Sequence, residues 1–156
     1  MSDNALLARI RADLTTAMKS RDAVTVRTLR AVIAAVQEAE VAGDTATKLT
    51  EAEVEKLLAT QAKRRVEAAE AFDQGNRPEK AADERAELAI LESYLPKPLS
   101  DDELVAVIEQ TLADEGISEM SDMGRAMKAV NAKVAGMARG PADGKRVAAL
   151  VRERLS

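Results

Sequence analysis

Apolar residues recur at three- and four-residue steps along almost the whole chain, and no alternating stretch of useful length interrupts them. That period is helical, and it predicts an all-α fold of about seven helices. The first spans about 5–20, with Leu7, Ile10, Leu14 and Met18 on one face and Asp3 or Asn4 as its cap. The second spans about 22–41 behind Asp22 and carries Val26, Leu29, Val32, Ile33 and Val36 inward. "AGDTATKLT" then breaks the pattern and reads as a loop. Thr50 and Glu53 form a capping box that starts a third helix, continued by Val54, Leu57, Leu58, Ala62, Val66 and Ala69 to Phe72. "DQGN" ends it, with Gly75 suited to a left-handed position. Pro78 fits the first turn of a fourth helix that runs to about Tyr94 and buries Leu88, Leu91 and Leu95.

In "LPKPLS", Pro96 and Pro98 cannot continue a helix, and they push Leu95 and Lys97 toward extended backbone. This stretch is the best boundary in the chain. It divides an N-terminal helical domain, 1–95, from a smaller C-terminal one, 96–156. Ser100 and Glu103 make a second capping box, opening a helix through Leu104, Val107, Ile108 and Leu112. Gly116 ends it, with Ile117 placed for a Schellman contact. A sixth helix over about 121–135 buries Met123, Met127, Val130 and Val134, with Ser118 or Ser121 as its cap. A seventh, over about 143–155, turns Val147, Leu150, Val151 and Leu155 inward.

Composition narrows the chemistry. Of 156 residues, one is Phe, one Tyr and none Trp, so the core is aliphatic and no aromatic platform exists for stacking bases. The chain has no Cys, which removes disulfides, thiolates and thiolate-bound metals. It has no His, which removes the commonest general base and metal ligand. No acidic cluster has calcium-loop spacing. Neither a catalytic group nor a cofactor is expected. No apolar run approaches the roughly 20 residues of a membrane span, and "MSDNALLARIRADL" carries acids where a signal peptide would not. A cytoplasmic location without membrane attachment is the expectation.

The net charge of −4 hides a segregated pattern. Residues 100–119 hold seven acids and no base, whereas 120–156 hold eight bases and three acids. The acids at 101–103 follow a Ser cap, where helices favour them. "RGPADGKR", residues 139–146, resembles a phosphate loop only superficially. Gly140 and Gly144 are one residue too close, Arg146 replaces the magnesium-binding hydroxyl, and no strand precedes it. Gly140 and Pro141 read as a turn and Asp143 as the next cap. Lys145 and Arg146 then sit where a helix dipole disfavours cations, beside N–H groups suited to an external anion. The serines lack an activating base, and Met120, Met123 and Met127 read as core filling. "KRR" at 63–65 reads as solvated surface, with Lys63 placed to pair with Glu67. The C-terminal basic set is Arg125, Lys128, Lys133, Arg139, Lys145 and Arg146, with Arg152 and Arg154 further on. Such a surface grips phosphates and RNA shape, and its binding is expected to be salt-sensitive.

"TLRAVIAAVQEAE", "EAFDQGNRPEKAADERAELAILESYLPKPLSDDEL" and "SDMGRAMKAVNAKV … ADGKRVAALVRERL" resemble the GatB/YqeY family along nearly the whole chain. The most specific pieces are Tyr94-Leu95-Pro96, Met123-Gly124-Arg125-Ala126-Met127 and Ala142-Asp143-Gly144-Lys145. The resemblance implies an all-α protein whose module also forms the tail of the B subunit of the tRNA-dependent amidotransferase. That tail contacts tRNA, while the amidation chemistry lies in a separate catalytic domain that has no counterpart here. By position, the Met123–Met127 segment and the Ala142–Lys145 turn fall in its tRNA-facing half, and the resemblance thereby implies Lys128, Lys133, Lys145 and Arg146 as RNA contacts, with Arg125 after them. The link "AGMARGP" is several residues longer than the family's usual one. Three readings stay open: a tRNA- or RNA-binding module without catalysis, an accessory part of a glutamine-dependent carbon–nitrogen ligase, and a protein-docking module using the acidic 100–119 face.

Overall fold

In the computed structural model, which describes residues 4–137, 139 and 142–156, the chain forms seven α-helices and no strand among the described residues. The helices are α1 (Ala5–Ser20), α2 (Ala23–Glu40), α3 (Glu51–Gln74), α4 (Pro78–Glu92), α5 (Asp101–Glu115), α6 (Met123–Ala135) and α7 (Gly144–Leu155). Backbone contacts divide the chain into two compact units, Met1–Leu95 and Pro96–Ser156.

Caps fix most of the helix ends. Asn4 accepts the Leu7 N–H at 3.0 Å and starts α1; the alternative, Asp3, lies outside the described residues. Asp22 accepts from Thr25 N–H and hydroxyl. Thr50–Glu53 and Ser100–Glu103 form complete capping boxes, each satisfying two otherwise orphaned N–H groups. Asp143 accepts the Lys145 N–H at 3.0 Å. Before α6 the expectation fails. A single 3-10 turn, Met120–Asp122, leads in, and neither Ser118 nor Ser121 caps it.

The left-handed position after α3 also differs from expectation. Gly75 has φ −83°, and Asn76 takes φ 58° instead. Arg77 N–H then reaches Phe72 C=O at 2.8 Å, so the Schellman closure occurs one residue later than the glycine suggests. Asn tolerates this region through its short polar side chain. Gly116 does take φ 65°, and buried Ile117 donates to Leu112 C=O at 2.9 Å.

The first unit closes its core around Ile10, Leu29, Val36, Val54, Leu58 and Leu91, all fully buried. Met18 does not join it; it is 50% exposed, with its sulfur 4.0 Å from the Arg30 guanidinium. In the second unit Leu104, Ile108, Val130, Val147 and Val151 form the centre, with Met123 and Met127 packed at its margin. Met120 belongs to the lead-in turn rather than α6 and is 40% exposed. Ala126 of α6 is fully buried in the same cluster.

Candidate nucleic-acid interface

The second unit sorts its cations by what they touch. Arg146 donates twice to one oxygen of Asp101, at 3.1 and 2.7 Å. Arg154 lies 2.7 Å from Glu109. Both pairs join residues 45 apart, which means α5 and α7 advance together and run parallel, in register over two turns. Arg139 donates to the Lys97 carbonyl at 2.6 Å and to Glu103 at 3.3 Å. The segregation of acids and bases along the sequence is thus partly folded back on itself, since basic α7 and its lead-in lie against acidic α5.

Arg146 therefore has a role within the fold that its sequence position does not reveal. The guanidinium holds the Asp101 carboxyl below its usual range, first by hydrogen bonding and then by Coulomb attraction. Glu103 is also held low, by the Ser100 N–H first and Arg139 next. Arg125 lies 3.6 Å from Asp122, a loose pair one turn apart. Lys128, Lys133 and Lys145 are exposed and enter no ion pair among the described residues. Gly140 and Pro141, read from sequence as a turn, lie outside the described residues. The acidic stretch is correspondingly less available, with Asp101, Glu103 and Glu109 all engaged.

The first unit holds features that periodicity did not mark. Tyr94, buried at the end of α4, donates its hydroxyl to Asp13 at 2.5 Å. Arg9 stacks over its ring at 4.6 Å and donates to the Ser93 carbonyl at 3.2 Å. Burial and the Asp13 carboxylate push the phenol above its ordinary pKa, so it remains a donor. Beside this cluster runs an open groove of about 460 Å³ lined by Asp13, Ala17, Asp22, Ile90, Ser93 and Tyr94. The sequence signal for this clamp was the Tyr94-Leu95-Pro96 string; its partners Arg9 and Asp13 carried none.

"KRR" divides as well. Arg65 points at α4, with its Nε 3.1 Å from Glu87 and 3.7 Å from Glu84, while Arg27 reaches Glu87 at 2.9 Å from α2. Lys63 forms no ion pair with Glu67 among the described residues; Arg65, not Lys63, faces the partner helix. No helix of the described residues is long and apolar enough to cross a membrane, and they contain no group of three potential metal ligands.

The described residues form an all-α protein of two compact helical units. The chain belongs to the family described as "Yqey-like protein", whose model matches residues 7–155. It is also similar to "Altered inheritance of mitochondria protein 41, mitochondrial" of Meyerozyma guilliermondii, 38% identical over 92 residues. That match covers 59% of this chain and 47% of the relative, so the similarity spans about half of the yeast protein.

Proposed function

We propose that this protein is an RNA-binding module, with tRNA as its foremost target, and that it performs no catalysis of its own. The observation that carries the reading is the set of exposed lysines, Lys128, Lys133 and Lys145, which enter no ion pair among the described residues, in a unit whose arginines 139, 146 and 154 are engaged. A lysine held in water with no carboxylate to satisfy it is available to a phosphate, and several such residues release counterions on binding. The resemblance to the amidotransferase tail supports tRNA as the class of RNA. A chain without His or Cys supports binding rather than chemistry. The composition suits the cytoplasm, where tRNA is met.

Filter binding of the full chain to unfractionated tRNA, across a salt series, tests the reading. Binding should be clear at low salt and fall steeply as salt rises. Lys128→Glu with Lys133→Glu should weaken it without changing the helical content measured by circular dichroism. Absence of binding at low salt, or affinity indifferent to salt, would sink the proposal.

A further inference from the structure

Helix α7 carries cations of two kinds. Arg146 and Arg154 turn toward α5 and are bonded to Asp101 and Glu109. Lys145 and Arg152 are both exposed, and neither enters an ion pair among the described residues. They are seven residues apart, which is two turns of one face, about 10.5 Å along the axis. Between them on that side lie only half-buried Ala148 and Ala149, too short to hold a ligand away from the helix. The nearest acids in sequence are Asp143, whose side chain is turned to the Lys145 N–H as a cap, and Glu153, which lies on Arg146's side of the helix.

We propose, resting on the RNA-binding reading above, that Lys145 and Arg152 together form the phosphate-gripping edge of α7, with Arg152 a contact residue and Arg146 a clamp inside the fold. The ligand chemistry is the sugar–phosphate backbone of a structured RNA, held at two points by charge. Base identity is not read. No aromatic residue follows Tyr94 in the sequence, and Arg146 and Arg154 are committed to Asp101 and Glu109, which leaves Arg152 to meet the backbone through its charge.

The test is a salt series on the full chain with two RNA hairpins of equal length and unrelated stem sequence. Wild type should bind both within a factor of about 3, with parallel plots of log K against log salt. Lys145→Gln with Arg152→Gln should flatten each slope by about 0.7–0.9 per charge removed. Arg152→Lys, which keeps the charge, should restore its share. Arg146→Gln should leave the slope unchanged while lowering the thermal midpoint. If wild type binds but Arg152→Gln leaves slope and affinity unchanged, the edge is overturned and RNA binding stands. A flattened slope with Arg146→Gln, or strong preference for one stem, also overturns it. If wild type binds neither hairpin nor tRNA, the functional reading itself fails, and the edge with it.

Discussion

In the first unit, one cluster of charges, centred on Glu87, meets on half-buried ground, whereas Arg85 and Asp73 stay about half exposed. Arg65 is 21% exposed and Glu87 12%, and Glu87 serves two arginines from two other helices. In the second, the bonded charges between α5 and α7 stay close to half exposed: Arg146 48%, Asp101 56%, Arg154 45% and Glu109 53%. The difference decides what each set can do. A desolvated carboxylate that loses its partner is left with an unpaid hydration cost. An exposed pair contributes little energy but still sets which residues of two parallel helices lie side by side. The second unit thus takes its stability from its aliphatic centre and can keep further cations outside for a ligand.

The sharpest way to break this comparison is to remove core volume from each unit in turn. Ile108 and Leu58 are both fully buried, one at the centre of each unit. Each change to Ala should cost about 2–5 kcal/mol by lost burial and cavity formation, read by urea unfolding. Ile108→Ala should also abolish RNA binding, whereas Leu58→Ala should preserve it at temperatures where the variant stays folded. Equal loss of binding in both would show that the interface is not confined to the second unit.

A smaller effect follows from the half-buried charges. Glu87→Gln removes the anion shared by Arg27 and Arg65 and leaves Arg65 facing Glu84 alone. The expected loss is about 1–2 kcal/mol, with RNA affinity unchanged. The matching change on the second unit, Glu109→Gln, faces an exposed arginine and should shift the urea midpoint much less. A larger shift for Glu109→Gln than for Glu87→Gln would reverse the comparison.

The two capping boxes give a matched pair of still smaller effects. Thr50→Ala and Ser100→Ala each leave an N3 amide without its acceptor, for about 1 kcal/mol. The Ser100 change should be felt more in function, because Glu103, the other half of that box, also holds Arg139. Its check is a paired comparison of urea midpoint and RNA affinity for the two variants.

Helix number, most helix ends and the inward residues of each helix were legible because they depend on period and on local capping chemistry. Asp22, Thr50, Ser100 and Asp143 cap as their neighbours in sequence require. The failures are instructive because each turns on something non-local or on competition between adjacent residues. Gly75 and Asn76 both tolerate the left-handed turn, and one residue's difference in where α3 closes decides between them. Met18 and Met120 have the right chemistry for a core but stay 50% and 40% exposed. The candidate site was legible as a basic segment. Which of its cations are bonded was not, since Arg146 meets Asp101 across 45 residues and only the register of α5 against α7 brings them together. The Arg9–Asp13–Tyr94 cluster was hidden for the same reason, with 81 residues between the hydroxyl and its acceptor.

The smallest expected effect concerns pH, and it probes the register-setting pairs directly. Asp101 and Glu103 both have folded pKa values below their ordinary 3.8 and 4.5, through Arg146 for the first and the Ser100 amide with Arg139 for the second. A carboxyl with a depressed folded pKa is protonated first in the unfolded chain as the solution is acidified. Its contribution is therefore complete above the ordinary value and is lost as pH falls through the folded one. The thermal midpoint should decline between about pH 5 and pH 3. Asp22, Glu53 and Asp73 shift in the same direction, so the first unit contributes to the decline as well. Asp101→Asn isolates the second unit's share: the variant should start with a slightly lower midpoint at pH 7 and approach wild type near pH 3. Added salt should reduce the difference at pH 7, because the pair is exposed. If the two curves instead stay parallel down to pH 3, Asp101 acts through its size and polarity, and the Arg146 clamp does not depend on charge.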